Sequence, residues 1–231
     1  MAKTYLTLKE IECLENQADK PRNRLLIRLL YKLACRISEE LSIMVGNIDF
    51  VNRTVTIKHL KTSLIITCPE CNYRLTRQSV YCPGCGVKVK DTVTKAVENQ
   101  RMRTLPIDTV TLDMLKEYIE VNSLFDGNCK LFNISRHRAW QIIRDCAAKA
   151  GLPKLVNPET GKVHNVSPHK LRDAFAVHAM QFDDSGEGMR LLQEHLGHTS
   201  FNTTARYRKI SGDEHRDWYE KLWADQPEDS K

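Results

Sequence analysis

No stretch of this 231-residue chain is apolar for long enough to span a bilayer, and Met1-Ala2-Lys3-Thr4-Tyr5 leads straight into a helix start with no secretory signal. The expectation is a cytoplasmic protein without a membrane partner. Internal repeats and low-complexity tracts are missing too, which leaves an ordinary globular chain. Charge is not heavily of one sign: 35 Lys and Arg against 29 Asp and Glu give +6, which suits a polyanionic partner without identifying one. At this length one large or two small domains can bury a real core without disulfides.

Cysteine is the residue type in unusual supply, with eight. Cys13, Cys35, Cys129 and Cys146 are scattered through helix-like segments, whereas the other four form two Cys-x-x-Cys knuckles. That distribution favours a metal site plus free buried thiols over a disulfide framework. Cys68-Pro69-Glu70-Cys71, ten residues, then Cys82-Pro83-Gly84-Cys85-Gly86 is a spacing that presents four thiolates tetrahedrally to zinc. Four thiolates leave no position open for an activated water, so such a zinc would be structural. A disulfide pair or an iron centre is the plain alternative.

Hydrophobic periodicity predicts a mainly α protein with a small antiparallel β-sheet, an α+β class. Thr7 and Glu10 make a capping box for a helix through about residue 18. Pro21 opens a second helix whose Leu25, Leu26, Ile27, Leu29, Leu30 and Leu33 are apolar almost all round, which predicts a buried central helix carrying Arg36 at its C-terminal end. Ser38 reads as the cap of a further helix with Leu41, Ile43 and Met44. Residues 48–51 and 54–60 read as a hairpin turning at Asn52-Arg53, with Arg103–Ile107 as the returning strand, so residues 63–100 are an insertion. Asp108 and Ser135 cap two more helices, residues 151–166 read as loop, and Pro168 starts a helix with His169 and Arg172 on one face. A mobile-looking stretch over residues 183–188 precedes two short helices ending near Tyr207.

Chemistry concentrates in His169-Lys170-Leu171-Arg172, in Leu196-Gly197-His198 and in Tyr207, nine residues beyond that histidine, with Arg36 far upstream. A lone His-x-x-Arg is commonly an exposed helix face, and a lone tyrosine is commonly core or surface. Taken together and in this order, the residues resemble the catalytic signature of the tyrosine recombinases, the phage-type integrase and Xer group. The resemblance implies a recombinase catalytic domain built from residues 1–62 and 101–231, interrupted by a zinc ribbon at 63–100.

By that resemblance Tyr207 forms a 3′-phosphotyrosine bond with DNA, Arg36 and Arg172 clamp the phosphate, His198 bonds a non-bridging oxygen and His169 takes the supporting acid/base position. Paired guanidinium donors suit the charge that builds on the phosphorane. Glu39 matches the acid that braces the site. Lys61, in Leu60-Lys61-Thr62, is favoured over Lys58 as the hairpin lysine that protonates the leaving oxygen. No catalytic metal and no ATP are expected. Ala34 stands where a glycine is common, and Tyr207-Arg208-Lys209 replaces Tyr-x-His. The catalytic-type sequence also starts almost at Met1, so the expectation is a chain without the N-terminal core-binding domain, its half of the DNA clamp supplied by the insertion or an accessory protein.

Arg74 and Arg77, with Lys88, Lys90, Lys95, Arg101 and Arg103, give the ribbon positive charge for phosphates, or simply a solvated or protein-docking surface. Arg136, His137, Arg138, Gln141 and Arg144 cluster opposite Ile142 and Ile143, as a major-groove helix requires, though a solvated face looks the same. Trp218, Tyr219, Leu222 and Trp223 lie in a tail helix that docks on its own core or, by the resemblance, on a neighbouring protomer in a homotetramer on double-stranded DNA. A cytoplasmic, nucleoid-associated strand-exchange enzyme is the reading that follows. A topoisomerase-like nicking and closing enzyme and a catalytically retired zinc-ribbon DNA-binding regulator are its alternatives.

Overall fold

A computed structural model describes residues 3–58, 62–76, 79–89, 93–98, 102–157 and 160–209. Lys61, Arg77 and the aromatic tail beyond Lys209 lie outside the described residues. The chain divides into two compact units, Met1–Ile57 with Arg103–Lys231, and Lys58–Met102.

The first unit begins with α1 (Leu8–Asn16), α2 (Pro21–Lys32) and the short α3 (Ile37–Glu40), followed by strands β1 (Ile48–Asp49) and β2 (Thr54–Lys58). Thr7 and Glu10 close the expected capping box on α1. Proline at the first position starts α2, where a missing N–H costs nothing. Its Leu26, Leu29 and Leu30 are wholly buried, and it packs against α1.

The helix stops earlier than its apolar run implies. Ala34 adopts a left-handed backbone (φ 45), which turns the chain, so Arg36 is the N-cap of α3 and not the last turn of α2. Ser38 therefore lies inside α3 instead of capping it, and Met44 makes an isolated bridge to Lys130 where a helix was expected.

The second unit holds β3 (Thr62–Thr67), β4 (Arg74–Leu75) and β5 (Val93–Glu98). β3 and β5 pair antiparallel over six residues, Thr62↔Glu98 through Thr67↔Val93, and β4 joins the other edge of β3. Among the described residues its buried cluster is Cys68, Leu75 and Cys82, with Ile66 and Val89 packed on it.

In the first unit the chain resumes as β6 (Met102–Pro106), giving the sheet order β1-β2-β6. Then follow α4 (Thr109–Val121), α5 (Arg136–Lys149), the pair β7 (Leu155–Val156) and β8 (Val163–His164), α6 (Pro168–Phe182), α7 (Gly186–Leu196) and α8 (Phe201–Ala205). Asp108 and Ser135 cap α4 and α5 through side-chain oxygens, as expected. β7 and β8 order the segment read as loop. The stretch at 183–188 is no loose linker, because Ser185 caps α7 and Asp183 accepts from the Ser185 N–H.

Helices α2, α4, α5 and α6 share one large core. A second cluster joins Ala34, Ala176, Met180, Met189, Leu192 and Leu196, with Tyr207 packed at its margin. Apolar packing of α6 against α7 and the turn at Ala34 thus fixes the backbone from which Arg36, Arg172, His198 and Tyr207 project. No helix among the described residues is long and apolar enough to cross a membrane.

Candidate active site

Arg36 reaches the site from the N-terminus of α3. Its Nη1 donates to Glu39 Oε1 at 2.8 Å and its backbone N–H to Oε2 at 3.1 Å. Oε2 also accepts from Arg103 Nη2 at 2.8 Å. Burial pushes the Glu39 carboxyl up, but Arg103 and Arg36 outweigh it and hold the group below the usual carboxylate range. Glu39, only 1 % exposed, is therefore an ionised link between two guanidiniums. Arg103 belongs to this link: it lies inside the first unit, so it is not part of the ribbon's positive surface.

Arg172, 2 % exposed on α6, donates Nη1 to the Ala34 carbonyl and Nη2 to the Leu196 carbonyl, both at 2.7 Å. These bonds satisfy the end of α7 and tie it to the turn ahead of α3. Two of the five guanidinium donors are used in this way.

α7 terminates at Gly197, whose φ of 66 suits glycine; a Cβ built there would lie 2.9 Å from Arg103 Nη1, so the arginine head would have to shift. His198 follows, with Nδ1 2.9 Å from Thr204 Oγ1. Burial first, then Arg172 and Arg36, bring its pKa down to about 4, so the ring is neutral at pH 7. In the tautomer in which the Thr204 hydroxyl donates to Nδ1, Nε2 carries the proton and can donate to an anion.

Tyr207 stands in a 3-10 turn, Arg206–Lys209, its ring 6.3 Å from that of His198 at an interplanar angle of 12°. Its hydroxyl donates to Asp173 Oδ1 at 3.0 Å. Burial and the Asp173 carboxylate push the phenol pKa upward. His169 is 73 % exposed, with Nδ1 4.0 Å from Asp173 Oδ1.

One cavity of about 1000 Å³ is lined by Arg36, His169, Arg172, Asp173, His198 and Tyr207. Five residues expected from sequence thus meet at one place, and Glu39 lies directly behind Arg36. Trp140 of α5 forms part of the wall, and the Arg144 guanidinium covers its ring at 5.1 Å. Arg136, His137 and Arg138 are exposed on the same helix, with Gln141 bonded to Arg138 and His137.

In the second unit, the Sγ atoms of Cys68, Cys71, Cys82 and Cys85 all lie within 4.8 Å of one another. Cys68–Cys85 and Cys71–Cys82 are 3.6 and 3.5 Å apart, close to the ~3.8 Å edge of a tetrahedron with zinc–sulfur bonds of about 2.3 Å. The Gly84 N–H donates to Cys82 Sγ at 3.3 Å, a bond that favours thiolate. The four residues fit a tetrahedral thiophilic metal. Arg74 is exposed on β4 of this unit.

The model of the "Phage integrase family" matches residues 4–75 and 87–214. This chain belongs to the phage integrase family. The unmatched gap holds Cys82 and Cys85, so the second knuckle falls outside the family pattern. Among curated relatives, Tyrosine recombinase XerC of Bifidobacterium longum is 28 % identical over 194 residues, covering 84 % of this chain and 45 % of that protein. Tyrosine recombinase XerA of Pyrococcus furiosus is 26 % identical over 202 residues, covering 84 % and 52 %. The chain spans about half the length of the curated relatives it matches. The fold is that of tyrosine recombinase catalytic domains: the crystal structure of XerA recombinase superposes with a TM-score of 0.63 at 19 % identity, covering 96 % of this chain and 64 % of that one. The catalytic domain of bacteriophage HP1 integrase gives 0.54 at 18 %, covering 94 % of both.

Sequence reasoning missed two residues of this integrase-family site. Arg103 lies two residues before buried Leu105 in β6, so a period-two reading of that strand places both on the inward face. Asp173 follows Arg172 and lies one helical turn after His169, a spacing that could have drawn notice.

Proposed function

We propose that this chain cleaves and rejoins DNA as a site-specific recombinase, through a transient 3′-phosphotyrosine bond at Tyr207. The observation that carries the reading is the phenol of Tyr207 lining the same cavity as Arg36, Arg172 and a neutral His198. Such a set can place an attacking oxygen, two permanent positive charges and a hydrogen-bond donor around one phosphodiester. Family membership and a likeness in fold to XerH, crystallised with its palindromic difH substrate after cleavage, point the same way.

In the reaction Tyr207 Oη bonds to phosphorus and the bond to the 5′-oxygen breaks. Arg36 and Arg172 neutralise the non-bridging oxygens, and His198 donates to one of them. His169 takes the supporting place at the mouth of the cavity, and Lys61 is assigned to the leaving 5′-oxygen on its sequence context. Because the covalent bond conserves energy, religation needs no ATP. The basic face of α5 and Arg74 with Arg77 on the ribbon are assigned to DNA phosphates and base edges. Cys68, Cys71, Cys82 and Cys85 hold a structural zinc. On DNA the protein assembles as a homotetramer through its C-terminal helix, in the cytoplasm on the nucleoid, with an accessory protein where a further clamp is needed.

The test exposes wild type and Tyr207→Phe to nicked suicide fragments tiled across DNA flanking its gene and scores SDS-resistant adducts. Adducts from wild type alone support the reading. Tight binding without adducts from either protein favours the retired regulator, and relaxation of plasmid lacking any specific site favours the nicking and closing enzyme.

A further inference from the structure

Attack by a tyrosine leaves one proton to be placed, since the phenol must lose its hydrogen as the oxygen–phosphorus bond forms. The hydroxyl of Tyr207 already donates to Asp173 Oδ1 at 3.0 Å. Asp173 is 17 % exposed, lines the cavity beside Arg172, and is oriented by Lys170, whose Nζ donates to Oδ2 at 3.2 Å. His169, the other basic group nearby, stands 4.0 Å from the carboxylate and points largely to solvent.

We propose that Asp173 is the catalytic residue that accepts the Tyr207 proton, acting as general base for DNA cleavage and returning that proton during rejoining. The proposal rests on the DNA-cleaving reading above. As Tyr207 Oη bonds to phosphorus and the phosphorus–O5′ bond breaks, the phenolic proton passes to Asp173 Oδ1. The 5′-oxygen takes a different proton from the leaving-group acid or from water. In the reverse step the 5′-hydroxyl attacks and returns its proton to that acid or to water, the tyrosyl bond breaks and Oη recovers the proton from Asp173.

The contact also quiets the resting site. A phenolate next to Asp173 and out of water is disfavoured, so the tyrosine stays protonated until a phosphate lies between the two guanidiniums. Proton transfer is then coupled to bond formation, as when an aspartate accepts the proton of an attacking hydroxyl in other phosphoryl transfers.

The experiment measures single-turnover adduct formation with the full zinc-loaded chain on a fragment that wild type cleaves, comparing Asp173→Asn and Asp173→Ser. General-base loss predicts a rate lower by about 10²-fold or more. The same defect should persist on a 5′-bridging phosphorothiolate, whose sulfur leaves without protonation, because that substrate relieves only the leaving-group acid. The D173N rate should climb about tenfold per pH unit above neutrality, while wild type stays flat. Groups facing Asp173 that bear on this profile are His169, Lys170 and Arg172 on α6, Arg36, His198, and Tyr207 with Arg206. Full rescue by the phosphorothiolate, or a D173N rate within about threefold of wild type with the same pH profile, overturns the proposal. If D173N does not fold, D173S gives the same decision. Failure confined to the Asp173 variants leaves the recombinase reading intact, whereas absence of wild-type adducts overturns both.

Discussion

The described cores of the two units differ in kind. The first buries a continuous apolar core around α2, with Leu26, Leu29, Leu30 and Leu33 at zero exposure. Among the described residues, the second buries Cys68, Leu75 and Cys82, with Ile66 and Val89 packed on them. Two of those three buried residues are cysteines, and their sulfurs lie with those of Cys71 and Cys85 within 4.8 Å of one another, an arrangement that can hold a metal ion. The difference teaches that solvent exclusion is visible in the first unit, whereas the second offers a place where metal coordination can add to it.

Chelation separates the two most sharply. Structural zinc contributes on the order of 10 kcal/mol to small four-ligand modules, so metal removal should unfold the second unit outright and leave the melting transition of the first nearly unchanged. Circular dichroism with zinc-release titration checks this. A single concerted transition lost on chelation would erase the contrast.

Next in size is Arg103→Ala. Arg103 is 12 % exposed and bonds a carboxylate that is 1 % exposed, so its removal strips a buried charge of one partner and should cost about 3 kcal/mol in the first unit. Zinc affinity should not move. Urea melts of the variant with and without zinc measure both, and a loss below about 0.5 kcal/mol would show that Glu39 is satisfied without Arg103.

Acid distinguishes the units by mechanism. His195, stacked on Phe175 at 4.6 Å, and His198 each have a pKa of about 4 from burial and nearby arginines. The unfolded value is about 6.5, so the unfolded chain binds more protons between the two. Their contribution is complete above about pH 6.5 and is lost as pH falls through about 4. The two histidines should therefore weaken the first unit across that window, opposed by Glu40, whose carboxyl pKa is pushed up by burial, and His195→Gln should remove one histidine's share of the slope. In the second unit protons compete with metal for thiolate, so its loss should track zinc release. Thermal melts from pH 7 to 4.5 with a zinc indicator resolve the two.

Smallest is Ala34→Gly. At φ 45 alanine is strained, and glycine should stabilise the first unit by about 0.5–1 kcal/mol after its own entropy cost, leaving the ribbon untouched. A destabilised variant would mean the Ala34 methyl packing against Met180 and Leu196 outweighs the backbone strain.

The capping residues Thr7, Asp108 and Ser135 and the apolar run of α2 were readable because each depends on local chemistry. The site residues that bear distinctive groups were readable for a similar reason: His-x-x-Arg, Leu-Gly-His and a tyrosine at fixed spacing keep their meaning without a structure. What was not readable depends on chain segments meeting. Arg103 meets Glu39 across 64 residues and a whole inserted unit, and Asp173 meets Tyr207 across 34. The end of α2 was misplaced because Leu33-Ala34-Cys35 holds neither glycine nor proline. The tertiary bonds of Arg172 to the Ala34 and Leu196 carbonyls accompany a turn that local propensity does not announce.

The most direct measurement is peptide mapping of the SDS-resistant product after nuclease digestion, by mass spectrometry. The account predicts a nucleotide phosphate on the peptide containing Tyr207, and its absence from Tyr207→Phe. A nucleotide on any other residue, or an equal adduct from the phenylalanine variant, would contradict it.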